Sequence, residues 1–214
     1  VSHDLRAPLR HIHGYSEALE EDYSDKLTGE GLKYLQRLRH AADNMDRLIL
    51  GLLRLSKVSK QGLNINKVYL SSLAQDVIQD LNKEYKNKIY KTIVTPDLIC
   101  FGDTRLLRIV LENLISNAYK YSALNEQPEI EFGCTEIDGV TTYYVKDNGI
   151  GFDMAHQDKI FEPFQRLHGS GEFEGSGIGL STVARIIRRH KGRIWAEGKP
   201  DEGAVFYFTL GLVI

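Results

Sequence analysis

Gly175-Ser176-Gly177-Ile178-Gly179-Leu180-Ser181 is the stretch on which the reading of the chain turns. Its glycines alternate with small or apolar residues and lead straight into a helical stripe of Val183, Ile186 and Ile187. A glycine-rich turn at a helix N-terminus offers unpaired backbone N–H groups and a positive dipole end, so the stretch suits phosphate. It is not the Walker pattern, which ends Gly-Lys-Ser/Thr, nor the dinucleotide fingerprint, whose glycines follow directly from a strand. Residues 165–176 are polar and glycine-rich, with too little apolar content to hold one conformation unaided, which predicts a mobile lid. Just before it, Lys159-Ile160-Phe161-Glu162-Pro163-Phe164 reads as a short helix closed by proline. Downstream, Gly192 is placed to end the helix, and Arg185, Arg188, Arg189 and Lys191 suit its C-terminal dipole. Strands over 193–196 and 204–210 follow.

Working back, residues 129–136 and 140–146 alternate like two strands around the hairpin signal Asp138-Gly139. The second strand runs into Asp147-Asn148-Gly149-Ile150-Gly151. An acid followed by glycines lets backbone approach a flat ligand while the carboxylate accepts from an exocyclic amine; for Asp-Asn-Gly alone a plain turn is the favoured reading. Asp103 caps a helix through Leu106, Leu107, Ile109, Val110, Leu114 and Ile115. Asn113 and Asn117 lie four apart on one face of it, followed by Lys120, Tyr121 and Ser122. Asparagine is a mediocre helix former, and two on a buried face need partners. A metal ion with phosphate oxygens would supply them, and so would backbone acceptors in the core. A further helix over 70–85, opened by Ser71 or Ser72, and short strands over 88–94 and 98–101 complete a sheet covered by helices on one face.

The first quarter has a different period. Leu5, Leu9, Ile12, Ser16, Leu19 and Tyr23 step by three and four, and so do Leu35, Leu38, Ala42, Met45, Ile49 and Leu52, which predicts two helices joined by a turn near 24–30. Two helices cannot bury both stripes and stay dry, whereas four can, so a homodimeric four-helix bundle is expected. Pro8 predicts a local bend. The polar stretch 56–67 places a linker there, giving domains over 1–60 and 67–214. At the head of the first helix stands Ser2-His3-Asp4-Leu5-Arg6-Ala7-Pro8-Leu9. A nucleophilic imidazole needs exposure and a neighbour that orients or deprotonates it, and Asp4 supplies the second. On these residues alone a solvated surface histidine is the competing reading. His11 and His13, two apart, point to different faces and do not complete a metal site with His3.

Composition narrows the classes. At 214 residues and 42% hydrophobic content the chain reads as α+β and globular. No run approaches the roughly 20 apolar residues that span a bilayer, and no signal peptide is visible. A soluble, cytoplasmic piece without direct membrane contact is expected. A net charge of −2 argues against nucleic acid as a partner held by bulk electrostatics. Cys100 and Cys134, far apart and in apolar surroundings, read as reduced core thiols.

In this order the signals resemble the transmitter module of a sensor histidine kinase: a dimerisation and phosphoacceptor hairpin followed by a Bergerat-type (GHKL) α/β sandwich that binds ATP. The stretches 3–8, 113–122, 147–151, 161–164 and 175–179 resemble that family's H, N, G1, F and G2 boxes. The residues 164–168 and 175–180 also resemble kinases of the phytochrome-like or PAS-linked type. The resemblance implies that His3 accepts the γ-phosphoryl group of ATP with Asp4 as orienting base. Asn117, supported by Asn113, would hold Mg2+; Lys120 and Tyr121 would meet phosphate, and Asp147 would read the adenine amine. Gly149, Gly151, Gly175, Gly177 and Gly179, with Phe164, Ile178 and Leu180, would line the nucleotide. It further implies phosphorelay to an aspartate of a response-regulator receiver domain, and a sensor domain upstream of this fragment. Related ATPases carry a water-activating glutamate where this chain has Asn113, which disfavours hydrolysis for its own sake. Ala7 stands where many such kinases have threonine or asparagine, which puts phosphatase activity in doubt. A catalytically silent, nucleotide-binding signalling scaffold is the alternative function.

Overall fold

The computed structural model describes residues 2–23, 26–60, 62–86, 88–157, 159–165 and 177–211. It divides into two compact units, Val1–Ser59 and Lys60–Ile214.

The first unit is a helical hairpin of α1 (Ser2–Tyr23) and α2 (Gly29–Lys60). α1 runs through Pro8 without interruption. Lys26 N and Leu27 N donate to Tyr23 O at 2.9 and 3.0 Å, and Thr28 Oγ1 accepts from Gly31 N at 3.4 Å to open α2. The apolar stripes split in two. Leu9, Ser16, Leu35 and Ala42 are buried within the hairpin, whereas Ile12, Leu19, Tyr23, Leu38 and Met45 remain 40–55% exposed. Polar groups flank the buried half: His13 Nε2 lies 3.0 Å from Asp43 Oδ1, and Arg39 pairs with Glu20. The polar residues Lys57, Ser59 and Lys60, read as linker, belong to α2. A solvated helix face and a linker share one composition, so the helix continues further than the polarity suggested.

The second unit runs β1 (Asn66–Tyr69), α3 (Leu70–Glu84), β2 (Lys91–Val94), β3 (Ile99–Gly102), α4 (Thr104–Ser122), β4 (Glu129–Ile137), β5 (Val140–Asp147), α5 (Gly179–Arg189), β6 (Ile194–Lys199) and β7 (Gly203–Thr209). The main sheet has the order β2-β4-β5-β7-β6, with β2 parallel to β4 and the other pairs antiparallel. α4 is its hydrophobic spine: Leu107, Val110, Leu111, Leu114 and Ile115 are wholly buried, against Phe132, Val145 and Phe208 of the sheet and Ile186 and Ile187 of α5 in one core. Asp103 caps α4 as expected, accepting from Leu106 N at 3.2 Å. Asp138 and Gly139 both take positive φ, 52° and 75°, the two-residue turn that suits the twist of a hairpin. Both cysteines are free thiols, and burial pushes the Cys100 pKa up to about 12.

Three local expectations are corrected. α3 starts at Leu70 with no side-chain cap. Ser71 Oγ instead donates to Thr95 O at 2.7 Å and accepts from Leu98 N at 2.8 Å, tying down the β2–β3 turn. The predicted short helix over 159–164 is a series of turns; the helical turn lies earlier, at Met154–His156, where Asp153 Oδ1 accepts from Ala155 N at 2.8 Å. α5 stops at Arg189, three residues before Gly192, and Lys191 takes the left-handed position with φ 57°. Lys191 N bonds Arg188 O and Gly192 N bonds Ile187 O, each at 3.0 Å, so the last carbonyls are satisfied by a Schellman closure. β1, a four-residue strand with one buried side chain, Val68, was not foreseen. It pairs antiparallel with β3 in a two-stranded sheet of its own.

Candidate functional site

The C-terminal half of α4, the end of β5 and the start of α5 meet through direct contacts. Asn113 Nδ2 donates to Ile109 O at 2.7 Å, back along its own helix. Its Oδ1 faces Gly179, where an added Cβ would lie 2.6 Å from that oxygen. Glycine at 179 therefore lets α5 begin directly on Asn113. One turn on from Asn113, Asn117 is half-buried. Lys120 Nζ donates to Tyr121 OH at 3.0 Å and sits 4.3 Å from that ring's centre.

Tyr121 O also receives Ile150 N at 3.2 Å, which straps the loop after β5 onto the end of α4. At Gly149 a Cβ would collide with the Tyr121 carbonyl. Asp147 closes β5, is 4% exposed, and accepts from Gly149 N at 2.9 Å. Burial raises its carboxyl pKa to about 6, against the lowering effect of the Gly149 and Ala204 backbone N–H groups. Gly151 takes φ 58° and Gly177 φ 68°. Phe164, more than half exposed, is joined to Gly177 by Phe164 N donating to Gly177 O at 2.9 Å.

Ile178 precedes α5 without a side-chain cap bond. Its carbonyl takes Ser181 Oγ at 2.8 Å and Thr182 Oγ1 at 2.9 Å, so those hydroxyls are turned into the helix. Among the described residues the first N–H groups of α5, with half-buried Leu180 among them, have no side-chain cap, the arrangement in which a helix end binds phosphate. Of the expected residues, Asn113, Asn117, Lys120, Tyr121, Asp147, Gly149, Gly151, Phe164, Gly177, Ile178, Gly179 and Leu180 all belong to these linked segments. Gly175 and nearly all of the expected lid fall outside the described residues. His3 and Asp4 lie on α1, in the other unit, with side chains outside the described set.

Two supports were missed by sequence reading. Asn148, the middle of Asp-Asn-Gly, accepts Glu129 N at 2.8 Å and donates to Gln127 O at 2.9 Å, while Asn125 Nδ2 holds its carbonyl at 2.8 Å. These bonds lock the loop that carries Gly149. Ser122 Oγ is wholly buried beside Gly149 and has no hydrogen-bond partner among the described residues. An unpaired hydroxyl costs about 1–3 kcal/mol. The glycines at 149, 151, 177 and 179 let the chain's own segments close on one another here, and what fits a nucleotide is the uncapped start of α5, suited to phosphate, with the amide oxygens as hard donors suited to Mg2+.

Two known families match the chain in tandem. Residues 1–61 match the His Kinase A (phospho-acceptor) domain, and residues 102–214 the histidine kinase-, DNA gyrase B- and HSP90-like ATPase. The chain belongs to the sensor histidine kinase family. Among similar proteins of this family, cyanobacterial phytochrome A of Nostoc sp. is 33% identical over 211 residues, 98% of this chain and 27% of that protein. The methanogenesis regulatory histidine kinase FilI of Methanothrix harundinacea is 34% identical over 212 residues, 98% of this chain and 24% of that one. The chain thus spans about a quarter of each of these relatives. Among solved structures, full-length ShkA in complex with AMPPNP superposes with a TM-score of 0.67 at 26% identity, over 98% of this chain and 44% of that one. No helix among the described residues of this kinase module is long and apolar enough to cross a membrane.

The contact between Gly179 and Asn113 is testable in the module. Gly179→Ala is expected to weaken ATP-analogue binding by about 30-fold or more, measured by titration of a fluorescent analogue. The pair Gly179→Ala with Asn113→Ala removes the clash, so it should recover the thermal stability lost by the single variant without recovering binding.

Proposed function

We propose that the chain is an ATP-dependent protein-histidine kinase whose acceptor is His3. The supporting observation is the seating of the uncapped start of α5 on Asn113 through Gly179, with Asn117 and Lys120 following along the same helix as Asn113. Asp147 accepts from the adenine amine, and the loop at Gly149 and Gly151 lies under the base. The N–H groups at Gly177, Ile178, Gly179 and Leu180, joined by Gly175, hold the phosphates with Lys120 and Tyr121. Phe164 borders the same cradle. Mg2+ held by Asn117, with Asn113 behind it, would screen the phosphate charge.

In the transfer, a ring nitrogen of His3 bonds to the γ-phosphorus as the bond to the β-γ bridging oxygen breaks and ADP leaves. Asp4 takes the hydrogen bond of the other ring N–H and orients the imidazole. Phosphoryl transfer demands mostly positioning and charge screening, and Asn113, lacking a carboxylate, does not prepare water as a rival nucleophile. Residues 1–60 then act as dimerisation and phosphotransfer domain and 67–214 as catalytic domain. The uncovered apolar half of the hairpin, Ile12, Leu19, Tyr23, Leu38 and Met45, is the surface a second copy would cover to make a four-helix bundle. An aspartate on a receiver domain takes the phosphoryl group onward, in the cytoplasm.

Incubation with γ-labelled ATP and Mg2+ tests the reading. Acid-labile label on the protein that vanishes in His3→Gln is expected. Nucleotide binding without labelled protein would instead assign the chain to silent scaffolds, and free phosphate without labelled protein to hydrolases.

A further inference from the structure

A second groove lies on the catalytic unit at the other end of α5. It has a volume of about 460 Å³ and is lined by Phe161, Ala184, Arg188, Arg193, Ile194 and Trp195 among others, which is within the range of small-molecule sites, about 300–1,000 Å³. Ala184 and Arg188 lie roughly 7 and 13 Å along the helix axis beyond Gly179, so the groove does not share the nucleotide cradle. Its apolar lining comes from Ala184 on α5, Ile194 on β6 and Phe161 from the segment that leads to Phe164, and the larger part of its exposed lining is polar. The small side chain at 184 opens the space.

The polar lining has one sign. Arg188 comes from α5 and Arg193 from the start of β6, and no carboxylate belongs to the described lining. Arg193 already rests over the Trp195 ring, its guanidinium carbon 5.3 Å from the ring centre, and Trp195 is itself stacked on Tyr207 at 5.3 Å and 15°. A planar cation held on an aromatic face presents its edge donors outward, which suits bidentate binding of phosphate or carboxylate. Aromatic and aliphatic side chains together with two guanidinium groups in one lining match a phosphorylated ligand with a planar ring.

We propose that this groove binds a phosphate-bearing planar ligand of the nucleotide class and serves as an effector site of the kinase module. Both walls lead to the ATP cradle. α5 begins at Gly179, and three residues after Phe161 the Phe164 N–H holds Gly177 O at 2.9 Å. Occupancy therefore bears on the segments that grip phosphate. The effector role rests on the kinase reading above; the binding itself does not.

The test uses the full chain and guanosine monophosphate, whose base carries a carbonyl where adenine offers the amine for Asp147. Trp195 is the one tryptophan in the sequence, so its fluorescence reports the groove. A saturable change is expected, weakened about tenfold or more by Arg188→Glu, abolished by Ala184→Leu, and retained in Asp147→Ala, in which the adenine contact is lost. Absence of saturation, or indifference to Arg188→Glu, overturns the site. Inorganic phosphate binding as tightly as the nucleotide overturns the planar part of the ligand, and guanosine binding as tightly overturns the phosphate part. An unchanged affinity for a fluorescent ATP analogue in saturating guanosine monophosphate overturns the effector role.

Discussion

Asp147→Asn is expected to melt at a higher temperature than the parent chain at pH 8 while binding ATP about 10- to 100-fold more weakly. Both effects follow from one buried carboxyl. Its pKa lies at about 6, against 3.8 in an open chain, so ionisation in the fold costs about 3 kcal/mol at neutral pH. Asparagine keeps an oxygen for Gly149 N and sheds the charge. Its own N–H groups need new acceptors, which reduces the gain to about 1–2 kcal/mol. The pH dependence has a definite sign. A raised folded pKa means that Asp147 favours folding below pH 3.8, and that this contribution is lost as pH rises through about 6. The melting advantage of Asp147→Asn should therefore grow from pH 4 to 6 and level off above. An advantage that shrinks over that interval would contradict the buried carboxylate. Under the proposed function the lost affinity is that of a charge-assisted bond to the adenine amine, and the parent chain itself should bind more weakly below pH 6.

His190 carries the second large effect. The ring is wholly buried, its Nε2 accepts from Asp103 N at 3.0 Å, and its Nδ1 donates to Ile186 O at 2.9 Å. That pairing fixes the neutral tautomer with hydrogen on Nδ1. Burial lowers its pKa below 6.5, outweighing the raising influences of the Ile186 carbonyl and the Asp103 charge, while Arg189 lowers it further. His190→Ala leaves a cavity and an unpaired Asp103 N–H, for a loss of about 3–5 kcal/mol, or about 10 °C in melting temperature. A depressed folded pKa makes the histidine's contribution complete above pH 6.5 and lost as pH falls below it. The gap between parent and His190→Ala should therefore narrow in acid, read by thermal melts between pH 5 and 8.

Local rules read well from sequence because their causes are local. The Asp103 cap and the Asp138-Gly139 turn each depend on residues within one turn or hairpin, and each stands where expected; the stripe of α4 does too, except that Ile109 is half-buried and Leu111 is wholly buried instead. The residues proposed for the nucleotide cradle stand out in the sequence for a different reason, since glycines and asparagines at fixed spacing have few other uses together. What escaped was non-local. Ser71 looks like a cap until Thr95 and Leu98, distant in sequence, claim its hydroxyl. β1 exists because β3 is there to pair with it. The hairpin stripes could be seen, but not which half of each faces its own partner helix, because Leu9 and Ile12 differ only in direction around the same helix. Lys191 took the left-handed position because Gly192 lies one residue too late for the helix that Arg189 ends.

Asp103 does more than begin a helix. Its carboxylate receives Leu106 N and, at 3.1 Å, Asn64 N from the connection that follows α2, while its own N–H is committed to His190. Amide protons at 64 and 106 thus share the Asp103 carboxylate, while the amide at 103 ties the same residue to His190, so the three bonds meet at one residue. Hydrogen exchange at these three positions is expected to follow a single cooperative opening, in which the connection before β1 and the base of α4 come apart together.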